Sequence, residues 1–402
     1  MSVFFICRRK IDMFALWFAS IIAISQPYMV GYFYIPPLIN TPENINASSY
    51  LVIFITLFVI FFSSLFYDYK YKHTSHCLYV NPYLNKIYGY SSALACLAII
   101  FMIISFYYIG LEKFYDRRSG GNLGAIESGL ISKTILFSMY AAFFGFYTKN
   151  TASTIVGLFI LIAMYSVSPS RSFLFITFLS LIMVVFIPKN RVKLSFLFKY
   201  FPVLLLLLAF IVLGKVYREF DGGLFDALAT YINISLEGDR VTFREANYIA
   251  ANLHHSIESL KAGEMIIRVF YYPLMLFPFL YLGLVFIGLP PIPMFSKIIL
   301  NIHDFDRFGV GSSFWGEMYA VGGWFVIVAI ALLFSFIVTI VNRKASQNSM
   351  RPFSLTMFIP TIYIVSYSYR LDMTLLLNRF SEAILIYIMY LFYVLIKFKN
   401  NR

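Results

Sequence analysis

Charged residues are scarce in this chain. They make up 13% of its 402 residues, whereas 60% are hydrophobic and 20% are aromatic. A soluble domain usually carries about 25% charged residues, so this composition excludes an ordinary soluble protein. The hydrophobic residues are collected in repeated apolar runs that are long enough for a helix to cross a bilayer. A β-barrel would instead show short segments of alternating polarity. The sequence therefore predicts an all-α polytopic integral membrane protein.

Cysteine is also rare, and the usual catalytic signatures are missing. The three cysteines are Cys7, Cys77 and Cys96. Their spacing does not match a metal site, and their odd number does not indicate a set of disulfides. A P-loop, a nucleophile elbow and a dinucleotide-binding fingerprint are absent as well. The sequence thus predicts no metal and no cofactor.

The net charge of +13 comes from basic residues in short clusters between apolar runs. These clusters include RRK at 8–10, KNRVK at 189–193, NRK at 342–344 and the tail KFKNNR at 397–402. Lys and Arg mark the cytoplasmic loops of a membrane protein, so the clusters predict cytoplasmic termini and no nucleic-acid binding. The apolar run after RRK is too long for a secretory signal and lacks a small-residue cleavage site. It is predicted to be the first transmembrane helix.

The apolar runs do not all fit as full spans. Eleven spans starting in the cytoplasm would leave NRK and the tail on opposite sides of the membrane. The run at 269–288 is the best candidate for a re-entrant or half-length segment, because prolines such as Pro273 and Pro278 interrupt it. We therefore predict about ten spans plus this segment, in a single membrane domain over 1–402. A large outer loop covers 217–268, and it extends to 312 if the segment enters and returns. The apolar runs lie at about 11–33, 49–67, 88–111, 131–148, 151–167, 172–188, 200–216, 269–288, 313–341, 353–370 and 380–397.

Arginines stand out at the predicted outer face. Arg171 lies in SPSRSF at 168–173, in a loop between two apolar runs. Its guanidinium either snorkels to lipid headgroups or binds a diphosphate or a sugar carboxylate. In the large loop, Arg240 and Arg244 would share one face of a helix, with Glu245 nearby. This group either binds an anion or forms a solvated helix face.

A carboxylate stands out in GVGSSFWGEMYAVGGW at 309–324, which leads into a long apolar run. An ionisable group such as Glu317 inside a membrane helix faces the bundle or a wet cavity. The neighbouring Gly316 and Gly323 would let another helix or a substrate approach closely. Glu317 is predicted to be either a base or a structural carboxylate bonded to an arginine such as Arg370.

The remaining polar groups favour simpler interpretations. Arg370 and Asp372 close one predicted span and Arg379 opens the next, a placement typical of interface anchors. His254 and His255 are adjacent in sequence and would point to different faces of a helix. We therefore predict that they are surface residues and that they do not form a paired metal site.

The order of these features resembles the Wzy-type O-antigen (oligosaccharide repeat-unit) polymerases of bacterial inner membranes. SPSRS at 168–172 joins two spans and precedes the basic loop KNRVK, and one large outer loop follows the next span. A Gly/Ser-rich lead then enters a helix with Glu-x-Tyr and a glycine pair, GSSFWGEMYAVGG at 311–323. The chain departs from many relatives at 289–293, where LPPIP replaces a proline–arginine pair. No arginine role is implied for that segment.

The resemblance implies a metal-independent membrane glycosyltransferase with a GT-C-like fold. Its substrate would be undecaprenyl-diphosphate-linked oligosaccharide, reached by lateral diffusion in membrane lipid at the periplasmic face. The growing chain would be transferred onto the non-reducing sugar of a new lipid-linked unit. A chain-length regulator is the implied protein partner.

The resemblance also implies roles for the charged residues. Glu317, or as second choice Glu245, would be a base or an orienting hydrogen-bond acceptor for the acceptor sugar hydroxyl. Outer arginines would stabilise charge on the diphosphate leaving group. These arginines are Arg171, Arg240, Arg244 and Arg370.

Two other functions stay open at this stage. An O-antigen ligase would share the architecture, and such enzymes commonly depend on a histidine in the large loop; His254, His255 and His303 are candidates. A flippase for lipid-linked oligosaccharide would usually show two similar halves and short loops. The halves of this chain are unlike, and one loop dominates.

Overall fold

The computed structural model describes ten stretches of the chain, which are helical apart from one pair of two-residue antiparallel strands. The described residues are 2–8, 10–33, 43–71, 82–110, 125–165, 172–189, 244–277, 313–347, 350–369 and 372–400, with the single positions 288, 295 and 298. In chain order, their elements are α1 (Ser2–Arg8), α2 (Met13–Ile24), α3 (Gln26–Val30), β1 (Tyr32–Phe33), β2 (Glu43–Asn44), α4 (Ala47–Tyr71), α5 (Leu84–Ile109), α6 (Ala125–Thr148), α7 (Thr151–Tyr165), α8 (Ser172–Phe186), α9 (Arg244–Ser259), α10 (Arg268–Met275), α11 (Phe314–Ser346), α12 (Pro352–Thr356), α13 (Phe358–Tyr367) and α14 (Met373–Asn400).

Five of the described helices are long and apolar enough to cross a membrane. They are α4, α5, most of α6, α11 and most of α14, and they match five of the predicted runs. Four shorter apolar stretches of 10–17 residues are α2, α7, α8 and the α12–α13 pair. The prediction of a helical, multi-pass membrane protein is therefore confirmed.

Two of the predicted spans are interrupted by proline. The run at 11–33 is divided at Ser25 into α2 and α3, and Pro27 lies in the first turn of α3, where its missing N–H is tolerated. Of the run at 269–288, the described part is mainly α10, an eight-residue helix with Pro273 inside it. Residues 278–287 and the predicted span at 200–216 lie outside the described residues. The re-entrant segment therefore stays a prediction.

Helix α4 shows how these helices divide between lipid and the bundle. Phe54, Phe58 and Phe62 recur every fourth residue and are about half exposed, as expected of a face in contact with lipid. On the other side, Thr56 is fully buried, and its hydroxyl forms a hydrogen bond with that of Tyr369. Apolar groups thus face outward, and hydroxyl groups link the helices inside.

Helices α6 and α7 pack closely around Gly157. A Cβ at this position would lie 2.6 Å from the backbone nitrogen of Ala142 and 2.7 Å from the carbonyl oxygen of Ser138. In the connection between the two helices, Asn150 donates from Nδ2 to the Ser91 hydroxyl of α5 at 3.0 Å. Glycine therefore sets the spacing of this helix pair, and the amide fixes α5 beside it.

A buried ionic network joins several helices at one end of the bundle. Arg8 Nη2 lies 2.8 Å from Asp12 Oδ2, and Arg8 Nε lies 2.5 Å from Asp68 Oδ2 near the end of α4. Near the end of α11, Asn342 donates to Asp12 Oδ2 at 3.3 Å. The RRK and NRK clusters, which the sequence predicts to share one side of the membrane, therefore lie at the same end of the bundle.

We expect Gly157→Val to lower the stability of the purified protein in detergent by about 1–3 kcal/mol, the usual cost of overpacking. The added side chain has no space against the α6 backbone, and thermal unfolding measures the loss. Gly129→Val is the matched control, because a Cβ at Gly129 would meet nothing within 4 Å. Equal losses in the two variants would contradict the close approach of α6 and α7.

Candidate functional site

The first turn of α11 carries the carboxylate that the sequence singled out. Ser313 precedes the helix, and its hydroxyl accepts a hydrogen bond from the backbone N–H of Gly316 at 3.2 Å, as an N-cap does. Trp315 is fully buried, so this turn packs inside the bundle. Glu317 has no exposed surface. Its charge lies at a helix N-terminus, where the helix dipole favours an anion.

Three hydrogen bonds and one ion-pair contact hold the Glu317 carboxylate. Oε1 accepts from Arg268 Nε at 2.8 Å and lies 2.7 Å from Arg268 Nη2. It also accepts from the Tyr272 hydroxyl at 2.9 Å. Oε2 accepts from the backbone N–H of Met373 at 2.7 Å. Glu317, Arg268 and Tyr272 are called the Glu317 cluster below.

The cluster joins three helices that are far apart in sequence. Arg268 and Tyr272 lie one turn apart on α10, so they face the same side of that short helix. Glu317 belongs to α11, and Met373 is the first residue of α14. A buried ion pair is tolerated only when hydrogen bonds satisfy its remaining polar atoms, and the cluster supplies such bonds. The carboxylate therefore fixes α10 against both neighbouring helices.

Sequence reasoning missed Arg268 as the partner of Glu317. It placed this residue at the end of the large outer loop and named Arg370 as the candidate partner. Arg268 is only 3% exposed, which is unusual for an arginine. The sequence feature that could have indicated its burial is an arginine and a tyrosine four residues apart, at the start of an apolar run.

At Gly316, α9 approaches α11 closely. A Cβ at Gly316 would lie 2.5 Å from the Cβ of Ser256. Ser256 is fully buried, and its hydroxyl donates to the carbonyl oxygen of Asn252 at 2.6 Å. The prediction that the glycines beside Glu317 let a neighbouring helix approach is confirmed at this position.

Gly322 and Gly323 interrupt the helical backbone of α11. Gly323 has φ 63° and ψ −151°, a conformation open almost only to glycine. The carbonyl oxygen of Ala320, just before this break, accepts from the backbone N–H of Met265 at 3.0 Å. Helix α11 therefore consists of a short N-terminal part, which carries Glu317, and a longer apolar part that is a candidate membrane span.

Two residues predicted as interface anchors have partners inside the bundle. Asp372 is fully buried, and its Oδ1 accepts from the backbone N–H of Leu375 at 2.8 Å, which caps α14. Its assignment as an anchor is therefore wrong. Arg379 Nη1 lies 2.7 Å from Glu382 Oε2, and its guanidinium lies 5.3 Å from the centre of the Tyr363 ring.

The other predicted site residues fall outside the part of the chain that the structure describes. This holds for all of Arg171, Arg240 and Arg370, and for the side chains of Arg244 and Glu245. The backbones of Arg244 and Glu245 form the start of α9. The roles of these five residues stay predictions.

His254 and His255 are buried, so their assignment as surface residues is wrong. They are 7% and 8% exposed, and their ring centres lie 5.2 Å apart. The segment after β2 covers them, and the backbone N–H of Asn46 donates to His254 Nδ1 at 3.2 Å. His255 Nε2 lies 3.8 Å from Glu43 Oε2, while His254 Nε2 lies 2.9 Å from Glu258 Oε2.

The two oxygens of Glu317 differ in what they can still bind. Oε1 accepts two hydrogen bonds and is in ionic contact with Arg268 Nη2, whereas Oε2 accepts one hydrogen bond among the described residues. A carboxylate oxygen has two lone pairs, so Oε2 retains capacity for one more hydroxyl. Because Glu317 has no exposed surface, such a hydroxyl reaches it only when a neighbouring group moves.

Comparisons with protein-family models, with curated proteins and with solved structures find no match for this chain.

We expect Arg268→Met and Glu317→Gln to destabilise the protein by about 3–5 kcal/mol each, because each leaves one buried charge without its partner. The double variant removes both charges and should recover most of that loss. Thermal unfolding of the four proteins in detergent gives the coupling energy. Glu264→Gln, at an exposed carboxylate near Arg268, is the control and should change stability little. Additive losses in the double variant would show that the ion pair is not the stabilising contact.

The break in α11 predicts a second effect on stability. Gly323→Ala should cost about 1–3 kcal/mol, because alanine rarely adopts this backbone conformation. Its Cβ would also lie only 3.0 Å from that of Ala262. Gly129→Ala, in open space on α6, is the control for a glycine-to-alanine change in a helix. A Gly323→Ala protein as stable as the control would contradict the broken backbone.

Proposed function

We propose that this chain polymerises undecaprenyl-diphosphate-linked O-antigen repeat units at the periplasmic face of a bacterial inner membrane. In this proposal it has a GT-C-like architecture, with about ten spans, a re-entrant segment at 269–288 and both termini in the cytoplasm. The substrates are lipid-linked oligosaccharides that diffuse in the membrane. A chain-length regulator is the proposed protein partner.

The observation that supports this proposal most is the Glu317 cluster. Its carboxylate, Glu317, lies inside the motif by which the sequence resembles the polymerases, at the point where 311–323 enters a membrane helix. Charges buried in a membrane helix bundle are costly, and they usually mark a substrate or ion site. A short helix, α10, brings the matching cation to the carboxylate.

In the proposed reaction, a hydroxyl oxygen of the acceptor sugar bonds to the anomeric carbon of the donor chain. The bond from that carbon to undecaprenyl diphosphate breaks, and the hydroxyl proton passes to the diphosphate that leaves. Both oxygens of Glu317 already accept hydrogen bonds from donors of the protein, so of the two roles predicted for it, base and orienting hydrogen-bond acceptor, we assign the second. Oε2 orients the acceptor hydroxyl, while Arg268 and Tyr272 hold Oε1 in place.

The outer arginines are assigned to the diphosphate. A leaving group attached to lipid needs cations at the interface, where its charge develops. Glu245 is the second candidate for contact with the acceptor hydroxyl. The arginines in this role are Arg171, Arg240, Arg244 and Arg370.

The lipopolysaccharide pattern of a deletion strain tests the proposed activity. We expect lipid A–core carrying a single repeat unit, and a full ladder after complementation with the wild-type gene. Core without any repeat unit would instead support a ligase or a flippase. The membrane face on which lipid-linked units accumulate separates these two functions. An unchanged ladder would contradict the polymerase proposal.

The double variant Arg268→Met/Glu317→Gln tests whether the cluster acts in the reaction or only in folding. Its stability should be near that of the wild type, whereas its rate of polymerisation should fall by about 10²-fold, the order of loss that a misplaced reacting group causes. Polymerisation is measured with purified lipid-linked repeat units and equal amounts of folded protein. Glu264→Gln should retain the wild-type rate. If the double variant recovers both stability and activity, the cluster has only a structural role.

A further inference from the structure

A second group of polar side chains, which shares no residue with the Glu317 cluster, lies where β2 approaches α9. Glu43, His254 and His255 each offer one donor atom there, and these three atoms lie within 4.8 Å of one another. Glu43 is 40% exposed at its side chain, whereas the two histidine rings are nearly buried. The group therefore consists of two fixed imidazoles beside a carboxylate that solvent reaches.

The spacing of the two rings is compatible with coordination of one metal ion. With metal–nitrogen distances of about 2.0–2.1 Å and tetrahedral angles, two coordinated imidazoles have ring centres about 5 Å apart. The centres of His254 and His255 are 5.2 Å apart, and their planes meet at 78°. The adjacent positions of the two residues on α9 thus do not keep their rings apart.

The hydrogen bonds of His254 fix its tautomer in a form that can bind a metal. Its Nδ1 accepts from the backbone N–H of Asn46 at 3.2 Å, so the lone pair of the neutral ring is on Nδ1. The proton is then on Nε2, which lies 2.9 Å from Glu258 Oε2. A carboxylate on the far nitrogen is the usual support for a metal-binding histidine. A metal at Nδ1 would take the place of the Asn46 N–H.

We propose that Glu43, His254 and His255 bind a divalent transition-metal ion of the zinc type. Two imidazoles and one carboxylate suit zinc and its neighbours, whereas magnesium and calcium prefer oxygen ligands alone. Glu258 supports His254 without being a ligand. Binding displaces protons from any protonated imidazole, so affinity falls as the pH is lowered.

The ion would have a structural role. Glu43 belongs to the outer segment after α3, while the histidines belong to α9, which touches α11 through Ser256 and Gly316. A metal bound to both segments would fix the segment that contains β2 to α9. Helix α9 in turn packs against the turn of α11 that carries Glu317. None of the three proposed ligands belongs to the Glu317 cluster, so the proposed sugar transfer remains metal-independent.

Metal titration of the full chain tests this proposal independently of any enzymatic activity. The protein is purified in detergent with a tag that contains no histidine, stripped with a chelator and titrated with Co²⁺ and then Zn²⁺. We expect one ion per chain, with the visible absorption of tetrahedral Co²⁺ that Zn²⁺ abolishes. Absence of this signal from the wild-type protein would overturn the proposal, whatever the variants do.

Single variants then assign the ligands. Glu43→Gln and His255→Gln should weaken Zn²⁺ binding at least 100-fold, and Glu258→Gln should weaken it by about 10–100-fold, as loss of a supporting carboxylate does. The matched control is His73→Gln/His76→Gln, which removes two histidines elsewhere and should bind Zn²⁺ as the wild type does. Binding lost in the control but kept in Glu43→Gln and His255→Gln would overturn the assignment.

A thermal shift covers the case of a variant that folds poorly. Zn²⁺ in excess should raise the unfolding temperature of the wild type, since a ligand bound only to the folded state stabilises it. In Glu43→Gln, which changes a half-exposed side chain, this shift should vanish while the metal-free unfolding temperature stays close to that of the wild type. An equal shift in both proteins would contradict a site at Glu43.

Discussion

A carboxylate that has lost all contact with water needs a cation and several hydrogen-bond donors, and much of this structure is arranged around that need. Glu317 obtains a guanidinium and a phenol from α10 and a backbone N–H from the start of α14. None of these groups is near it in sequence. Removing the water around an ion costs several kcal/mol. The buried carboxylate is therefore stable only when α10, α11 and the start of α14 are all in place. The ion pair thus makes a short proline-containing helix part of the bundle.

The opposite end of the bundle follows the same rule with different residues. Arg8 lies between Asp12 and Asp68, and Asn342 closes the group from the end of α11. Helix α11 is therefore tied by polar contacts at both ends, while its middle is in apolar surroundings. Between the ends, small residues and hydroxyl groups set the helix spacing, as Gly157 does for α6 and α7. Polar and charged contacts thus determine which helix ends lie together, and glycine determines how closely a pair of helices packs.

The sequence predicts the parts of this structure that depend on local physics. Apolar runs of sufficient length predict the long helices, and a single acidic residue inside such a run identifies Glu317. The partner of Glu317 depends on tertiary packing, so an arginine at the end of a long polar loop does not stand out. Local sequence groups Arg268 with that loop, because its burial arises from α11 and α14, which follow much later in the chain.

His254 and His255 show the same limit of local sequence, because they were predicted to be exposed and are buried. Adjacency on a helix predicts that two side chains diverge, and an isolated polar helix would leave both exposed. The segment after β2 reverses this outcome by covering α9, and nothing in the local sequence of α9 signals that cover. Backbone exceptions are easier to foresee, because a glycine pair inside an apolar run usually marks a close helix contact or a break in the helix. The positive φ angle of Gly323, however, is seen only in the structure.

The break at Gly322 and Gly323 has a mechanical consequence. In a continuous helix, the turn that carries Glu317 and the long apolar part that follows would share one axis. Because Gly322 and Gly323 lack helical geometry, the turns before them need not share the axis of the apolar part that follows. The direction of the turn that carries Glu317 is therefore set by its contacts with α10 and α14, and the direction of the long part is set by its packing in the bundle.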